Sequence, residues 1–272
     1  MFRFHRADAP EGFEARVAIA RKAIADRVDA GQCLDDEHFP DLWSEYKRHF
    51  WRVQFGKCGY CECKLREPGD VEHYRPKKAI QALPDNPDLW GKEIDDGTNV
   101  EGRRPTWISP WGYHWLTYAW SNYLLACERC NRAWKRNLFP IAETERSVPP
   151  DPGVPETPLL LNPFEGEEPT AHLAFDRYGQ IRPRNGSLHG WETIRTCGLD
   201  QESLRDRRAD KARVAFQLIR ELARTTGEEK RIARAKLHDM GRPSSEFAGM
   251  VRSIFETETC CRWRDMFEDM SG

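Results

Sequence analysis

Two Cys-x-x-Cys pairs carry the strongest chemical signal in this 272-residue chain. Cys58 and Cys61 sit in KCGYCEC, and Cys127 and Cys130 sit in LACERCN, with 65 residues between the pairs. Four thiolates so arranged can close a tetrahedral shell around one Zn²⁺, each pair forming a tight turn. A closed shell leaves no position for a substrate, so the expected role of this zinc is structural. Such a site contributes on the order of 10 kcal/mol to folding, enough to clamp a long insertion. Cys63 is a spare thiol two residues beyond Cys61. It is left outside the ligand set because the turn geometry favours the Cys58 and Cys61 pair.

A polar set lies beside the cysteines. Glu72 and His73 follow the first pair, Asn122 precedes the second, and Asn131 directly follows Cys130. A neutral imidazole with a pKa near 6.5 can take a proton from water at neutral pH. One carboxylate and one amide oxygen suit a hard cation such as Mg²⁺ and leave the rest of an octahedron for waters and phosphate. These groups suffice for one-metal hydrolysis of a phosphodiester. Taken alone, His73 reads as an ordinary surface histidine.

GDVEHYRP, followed by WSNYLLACERCNRAWKRNLFP, resembles the HNH endonuclease family in its four-cysteine form, over roughly residues 55 to 141. The resemblance implies a two-stranded antiparallel hairpin and a helix gripping one catalytic Mg²⁺ or Mn²⁺. It implies that His73 is the general base, that Glu72 and Asn131 bind the ion, and that Asn122 belongs to the catalytic set by fixing the loop that orients the histidine. Many members carry Asp where this chain has Glu72. The extra methylene moves the carboxylate by about one bond, which leaves direct and water-mediated contact both open.

Arg75, Arg132, Lys135 and Arg136 flank these residues and are candidate phosphate contacts, because cationic side chains supply most sequence-independent affinity for nucleic acid. Lys77 and Lys78 are weaker candidates of the same kind. DNA is the expected substrate. An RNA such as tRNA would engage the same chemistry, and a non-catalytic zinc-ribbon binding or scaffold module would make Glu72, His73 and Asn131 incidental. A wider pattern over about residues 50 to 215 is similar to HNH proteins of Septu-type and some retron anti-phage systems, which implies an ATPase partner subunit. The chain carries no Walker A pattern, so ATP hydrolysis would come from another chain.

The elements that must position these residues read as an α+β fold, mainly α-helical. The resemblance adds a zinc-stapled ββα-metal core, with helical elaborations at both ends. Residues 1–54 are expected to be helical support, 55–148 the core with its insertion, and 149–272 a mostly helical region suited to partner docking. Phe13, Val17, Ala20, Ile24 and Val28 recur at helical spacing up to Gly31, and a second helix is expected over Asp41 to Gln54. Pro76 to Pro110 reads as a long irregular insertion. The aromatics from Trp107 to Trp120 make either a packed wall or a base-stacking surface.

Pro149 to Pro169 marks a seam, and HLAFDRYGQIRPR after it reads as a hairpin. Beyond, Asp200 is the expected N-cap of a long amphipathic helix. Residues 203–236 hold eleven Lys or Arg against five Asp or Glu, a basic stretch that is either a solvated face or a phosphate-facing one. Overall charge is −2, with 32% charged and 39% hydrophobic residues, the composition of an ordinary globular chain. No apolar run is long enough for a membrane span, and the first residues lack a signal peptide's apolar core, so the expected compartment is the cytoplasm. In that reducing setting the nine cysteines are read as ligands and free thiols rather than disulfides.

Overall fold

Apolar residues at helical spacing build the first support for the site. Phe13, Val17 and Ile24 form the buried face of α1 (Phe13–Asp29). The second expected helix is shorter than its pattern: a 3₁₀ turn, Trp43–Tyr46, runs into α2 (Lys47–Val53). The computed structural model describes residues 1–83, 106–109, 112–143 and 156–267.

β1 (Asp70–His73) follows the first cysteine pair. β2 (Ile80–Ala82) and β3 (Thr106–Ser109) pair antiparallel, so the ends of the stretch expected to be irregular form a second small ladder. Its middle, 84–105, lies outside the described residues. β4 (Tyr123–Ala126) pairs antiparallel with β1, with Glu72 opposite Leu124 and His73 opposite Tyr123. Every β4 residue is buried, because the strand is covered on both faces. Gln54 locks this sheet to the end of α2: its side-chain amide donates to the Leu125 carbonyl at 2.9 Å and accepts from the Leu125 N–H at 2.7 Å.

After β4 the chain enters a helical segment, Arg129–Lys135, with π geometry rather than the ordinary helix expected. The Arg136 N–H reaches the Asn131 carbonyl at 2.7 Å, an i to i+5 bond, so the turn holds one more residue than an α-helix would allow.

The C-terminal half contains α3 (Pro169–His172), the expected hairpin as β5 (Leu173–Phe175) and β6 (Ile181–Pro183), then α4 (Leu188–Cys197) and α5 (Glu202–Arg224). α6 (Gly227–Gly241), α7 (Ala248–Thr259) and α8 (Trp263–Phe267) complete it. The N-cap of α5 is Gln201 and not Asp200. α7 buries Met250, Val251, Ile254 and Phe255 and packs against α5, α6 and β5. The fold is thus α+β, with three two-stranded sheets among the described residues.

Two close approaches tie the halves together. Gly198 ends α4 in the left-handed conformation, φ 59°, and a Cβ there would meet the Trp134 ring of the π segment at 2.0 Å. Only glycine meets both demands. Glu62, inside the first cysteine turn, is buried and forms ion pairs with Lys57 at 3.3 Å and with the Met1 amino group at 3.1 Å, while accepting from the Gly249 N–H of α7 at 3.0 Å.

The described aromatics between 112 and 120 form a packed wall. Tyr113 and Tyr118 are buried, and Trp120 lies against Phe13 and Phe50 with centroids at 5.1 and 4.6 Å. Trp107 and Trp111 lie outside the described side chains. No helix among the described residues is long and apolar enough to cross a membrane.

Candidate metal centre and functional site

The four cysteine sulfurs converge. Sγ atoms of Cys58, Cys61, Cys127 and Cys130 all lie within 4.8 Å of one another, and Cys61 and Cys127 approach to 3.9 Å. A tetrahedron with Zn–S bonds near 2.3 Å has S···S edges of about 3.8 Å, so the arrangement has the size of a zinc shell. The Cys130 N–H points at the Cys127 sulfur at 3.4 Å. Burial pushes the Cys58 thiol well above its ordinary pKa, whereas hydrogen bonding from Cys127 and the other thiols pulls Cys61 well below. Four sulfurs so close together, three of them buried, cannot all ionise unaided, and a dication removes that cost. Cys63 is buried beside Cys61 but stays outside the four-sulfur group.

β1 presents the second set. His73 is 9% exposed, with its ring edge-on to Trp43 and Tyr123 at 4.7 and 5.2 Å. Its Nε2 lies 3.0 Å from the Thr117 carbonyl oxygen. A carbonyl can only accept, so Nε2 carries the hydrogen and Nδ1 keeps its lone pair. Burial, reinforced by the Lys77 ammonium, holds His73 at a pKa of about 3, so the ring is neutral at pH 7.

Asn122 holds the loop that supplies this carbonyl. Its Nδ2 donates to the carbonyls of Arg75 at 3.0 Å and Leu116 at 3.1 Å, and its Oδ1 accepts from the Arg75 N–H at 2.8 Å. The segment after β1 and the segment carrying Thr117 are therefore pinned to one buried amide.

His73, Glu72 and Asn131 line a single cavity of about 350 Å³, together with Asp70, Trp43, Lys77, Arg132 and Arg136. Glu72 is buried and paired with the Lys135 ammonium, and burial outweighs that ion pair in raising its carboxyl pKa. A carboxylate has two oxygens, so one lysine does not exhaust it. Asn131 Nδ2 donates to Asp70 at 3.3 Å, which leaves its amide oxygen for a cation. The donors facing the cavity are thus oxygens of the hard type that Mg²⁺ and Mn²⁺ prefer.

The cationic residues divide. Arg132 is 64% exposed and makes a bidentate pair with Asp70 at 2.7 and 2.9 Å, while Arg136 is exposed at the cavity mouth. Arg75 is tied to Glu156 and lies over the Tyr113 and Phe139 rings at 4.8 and 4.7 Å. Lys135 requires a correction: it is fully buried, paired with Glu72 and donating to the His73 carbonyl at 3.0 Å. The extra residue of the π segment turns it inward, so it braces the site from behind and does not face a phosphate.

Three residues at the site escape the sequence reading. Asp70 binds Asn131 and Arg132 and has Lys47 at 3.8 Å. Its position two before Glu72 on one strand places both carboxylates on the same face, a signal available in DVEH. Trp43 and Thr117 carry no such signal, because one acts through a ring packed from a distant segment and the other through its backbone.

No family model matches the chain, and no solved structure does. Over 161 residues, 58% of its length, it is 37% identical to the Septu protein PtuB of Bacillus mycoides (strain KBAB4). The matched region is 48% of that protein, so the chain spans about half the length of this curated relative.

Proposed function

We propose that the protein is a metal-dependent HNH endonuclease that hydrolyses phosphodiester bonds of nucleic acid, with DNA as the primary substrate. The observation that carries this reading is the neutral His73, hydrogen-bonded through Nε2 to Thr117, in one cavity with Glu72 and Asn131. Its free Nδ1 is suited to take the proton of an attacking water. Glu72 and Asn131 would hold a divalent ion, which supplies charge neutralisation at phosphorus and at the departing oxygen. Asp70 orients Asn131, Asn122 holds the loop that fixes the His73 tautomer, and Lys135, ion-paired with Glu72, opposes the effect of burial on its carboxyl and holds it in place. Arg132 and Arg136 at the mouth would meet the flanking phosphates. The β1–β4 pair and the π segment correspond in this reading to the hairpin and helix of the HNH core, stapled by Zn²⁺ on the four cysteines.

Similarity to a Septu protein supports a role in anti-phage defence. We assign the chain the part of nuclease effector, working with an ATPase subunit supplied in trans. The test is incubation of the protein, alone and with a Septu-type ATPase subunit, with plasmid DNA and total tRNA in Mg²⁺ or Mn²⁺. His73→Ala is expected to lower cleavage by about 10²- to 10⁴-fold while zinc content and melting are retained. Cleavage equal to that of the parent protein would remove His73 from the mechanism.

A further inference from the structure

A second cavity, of about 620 Å³, lies between the β5–β6 turn and the C-terminal half of α5. Arg213, Phe216, Arg220 and Arg224 line it from α5, and Arg177 and Tyr178 line it from the turn. All four arginines are exposed, and Glu221 is the one acid among the lining residues. Glu221 accepts from Gln217 at 2.8 Å, while the nearest acid to Arg213 is Asp210 in a solvent-exposed pair at 3.0 Å, an interaction that a better anion displaces easily. Tyr178 is 59% exposed, with the Arg177 guanidinium 4.8 Å from its ring centroid.

Basic side chains along a groove, an apolar floor at Phe216 and an exposed ring form the combination that binds single-stranded nucleic acid: arginines take the phosphates and the ring stacks on a base. An acidic peptide would use the charge but not the ring. At about 1.5 Å per residue, Arg220 and Arg224 stand about 6 Å apart along the axis, with Arg213 about 10 Å before Arg220. The N-terminal end of α5 meets the π segment, which also carries Asn131 and Arg132 of the His73 cavity, through a 2.6 Å hydrogen bond from Arg129 to Ser203. Arg220 lies about 25 Å further along the helix.

We propose that this groove holds a single strand of nucleic acid leading to or from the His73 cavity, a statement that rests on the nuclease reading for its purpose and on the groove for its chemistry. The test reads binding and not cleavage: fluorescence anisotropy of a labelled single-stranded oligodeoxynucleotide with the full chain, zinc-replete and without Mg²⁺ or Mn²⁺. Arg220→Gln combined with Arg224→Gln is expected to weaken binding about tenfold and to reduce the salt slope by about 0.7 for each phosphate no longer neutralised. Tyr178→Ala is expected to weaken single-strand binding several-fold and duplex binding little.

All substituted side chains are exposed, so unchanged melting accompanies each variant. Parent-like affinity and salt slope in the double variant, or no binding by the parent protein, would overturn the proposal. So would a double variant that loses only polyglutamate, which would assign the groove to an acidic protein segment. Strand binding at the groove, with no cleavage once Mg²⁺ or Mn²⁺ is supplied, would instead overturn the nuclease reading alone.

Discussion

His73 and Thr117 are joined by a 3.0 Å hydrogen bond between a ring nitrogen and a backbone carbonyl, and this bond decides which face of the imidazole is basic. The tautomer is therefore set by a loop 44 residues away in sequence. What holds that loop governs the candidate base as much as the histidine itself.

Asn122 is the holder. Asn122→Ala leaves the part-buried carbonyls of Arg75 and Leu116 without this donor, at a cost of about 1 kcal/mol for each hydrogen bond lost. We expect a lower melting temperature, unchanged zinc content and a fall in kcat of at least about tenfold, measured by single-turnover cleavage. Full kcat in this variant would show that the Thr117 carbonyl stays in place without the clamp.

The cysteine centre makes a sharper prediction. Cys127→Ser removes one of four converging ligands, and the zinc contribution of on the order of 10 kcal/mol exceeds what most domains hold in reserve. The variant should be recovered zinc-free and unfolded or aggregated, as should the parent after chelation, by metal analysis and circular dichroism. A soluble, zinc-free variant with the parent's melting curve would contradict the clamp.

Lys135 and Glu72 form a buried pair whose members depend on each other. Lys135→Met leaves a buried carboxylate unpaired, which costs about 3–5 kcal/mol. Adding Glu72→Gln should restore most of that stability and no activity. If Glu72 binds the catalytic ion, Mg²⁺ should also raise the melting temperature of Lys135→Met more than that of the double variant. An equal response in the two would place the ion elsewhere.

The depressed pKa of His73 fixes a pH dependence. Its folded value of about 3 lies below the ordinary 6.5, so the unfolded chain binds more protons between those values. The stabilising effect is complete above pH 6.5 and declines as pH falls from there towards 3. It amounts to a few kcal/mol, because a tenfold change in proton affinity corresponds to about 1.4 kcal/mol. Melting temperature should fall through this window, and His73→Phe should flatten the dependence. A variant with the parent's acid profile would show that His73 is not the group responsible.

The cysteine spacing, the Glu72–His73 pair, α1 and the β5–β6 hairpin were all legible in the sequence, because each depends on local periodicity or on ligand types a few residues apart. Asp70 carries a signal of the same kind in its strand alternation with Glu72, but the sequence reading did not use it. The inward turn of Lys135 was not: it depends on one extra residue held in a π turn, closed by an i to i+5 bond in a segment whose Trp134 packs against the distant Gly198. The charge count over 203–236 likewise left open which arginines face one another; the fold of α5 against the β5–β6 turn sorted them into a groove.

Residue types and their spacing therefore specified the chemistry on offer here: sulfurs for a soft ion, oxygens for a hard one, and an imidazole beside them. Which nitrogen of that imidazole is basic, which lysine is buried and which arginines line a groove depended on packing between segments far apart in the chain. Burial and carbonyl direction are properties of the assembled interior, and no local pattern encodes them.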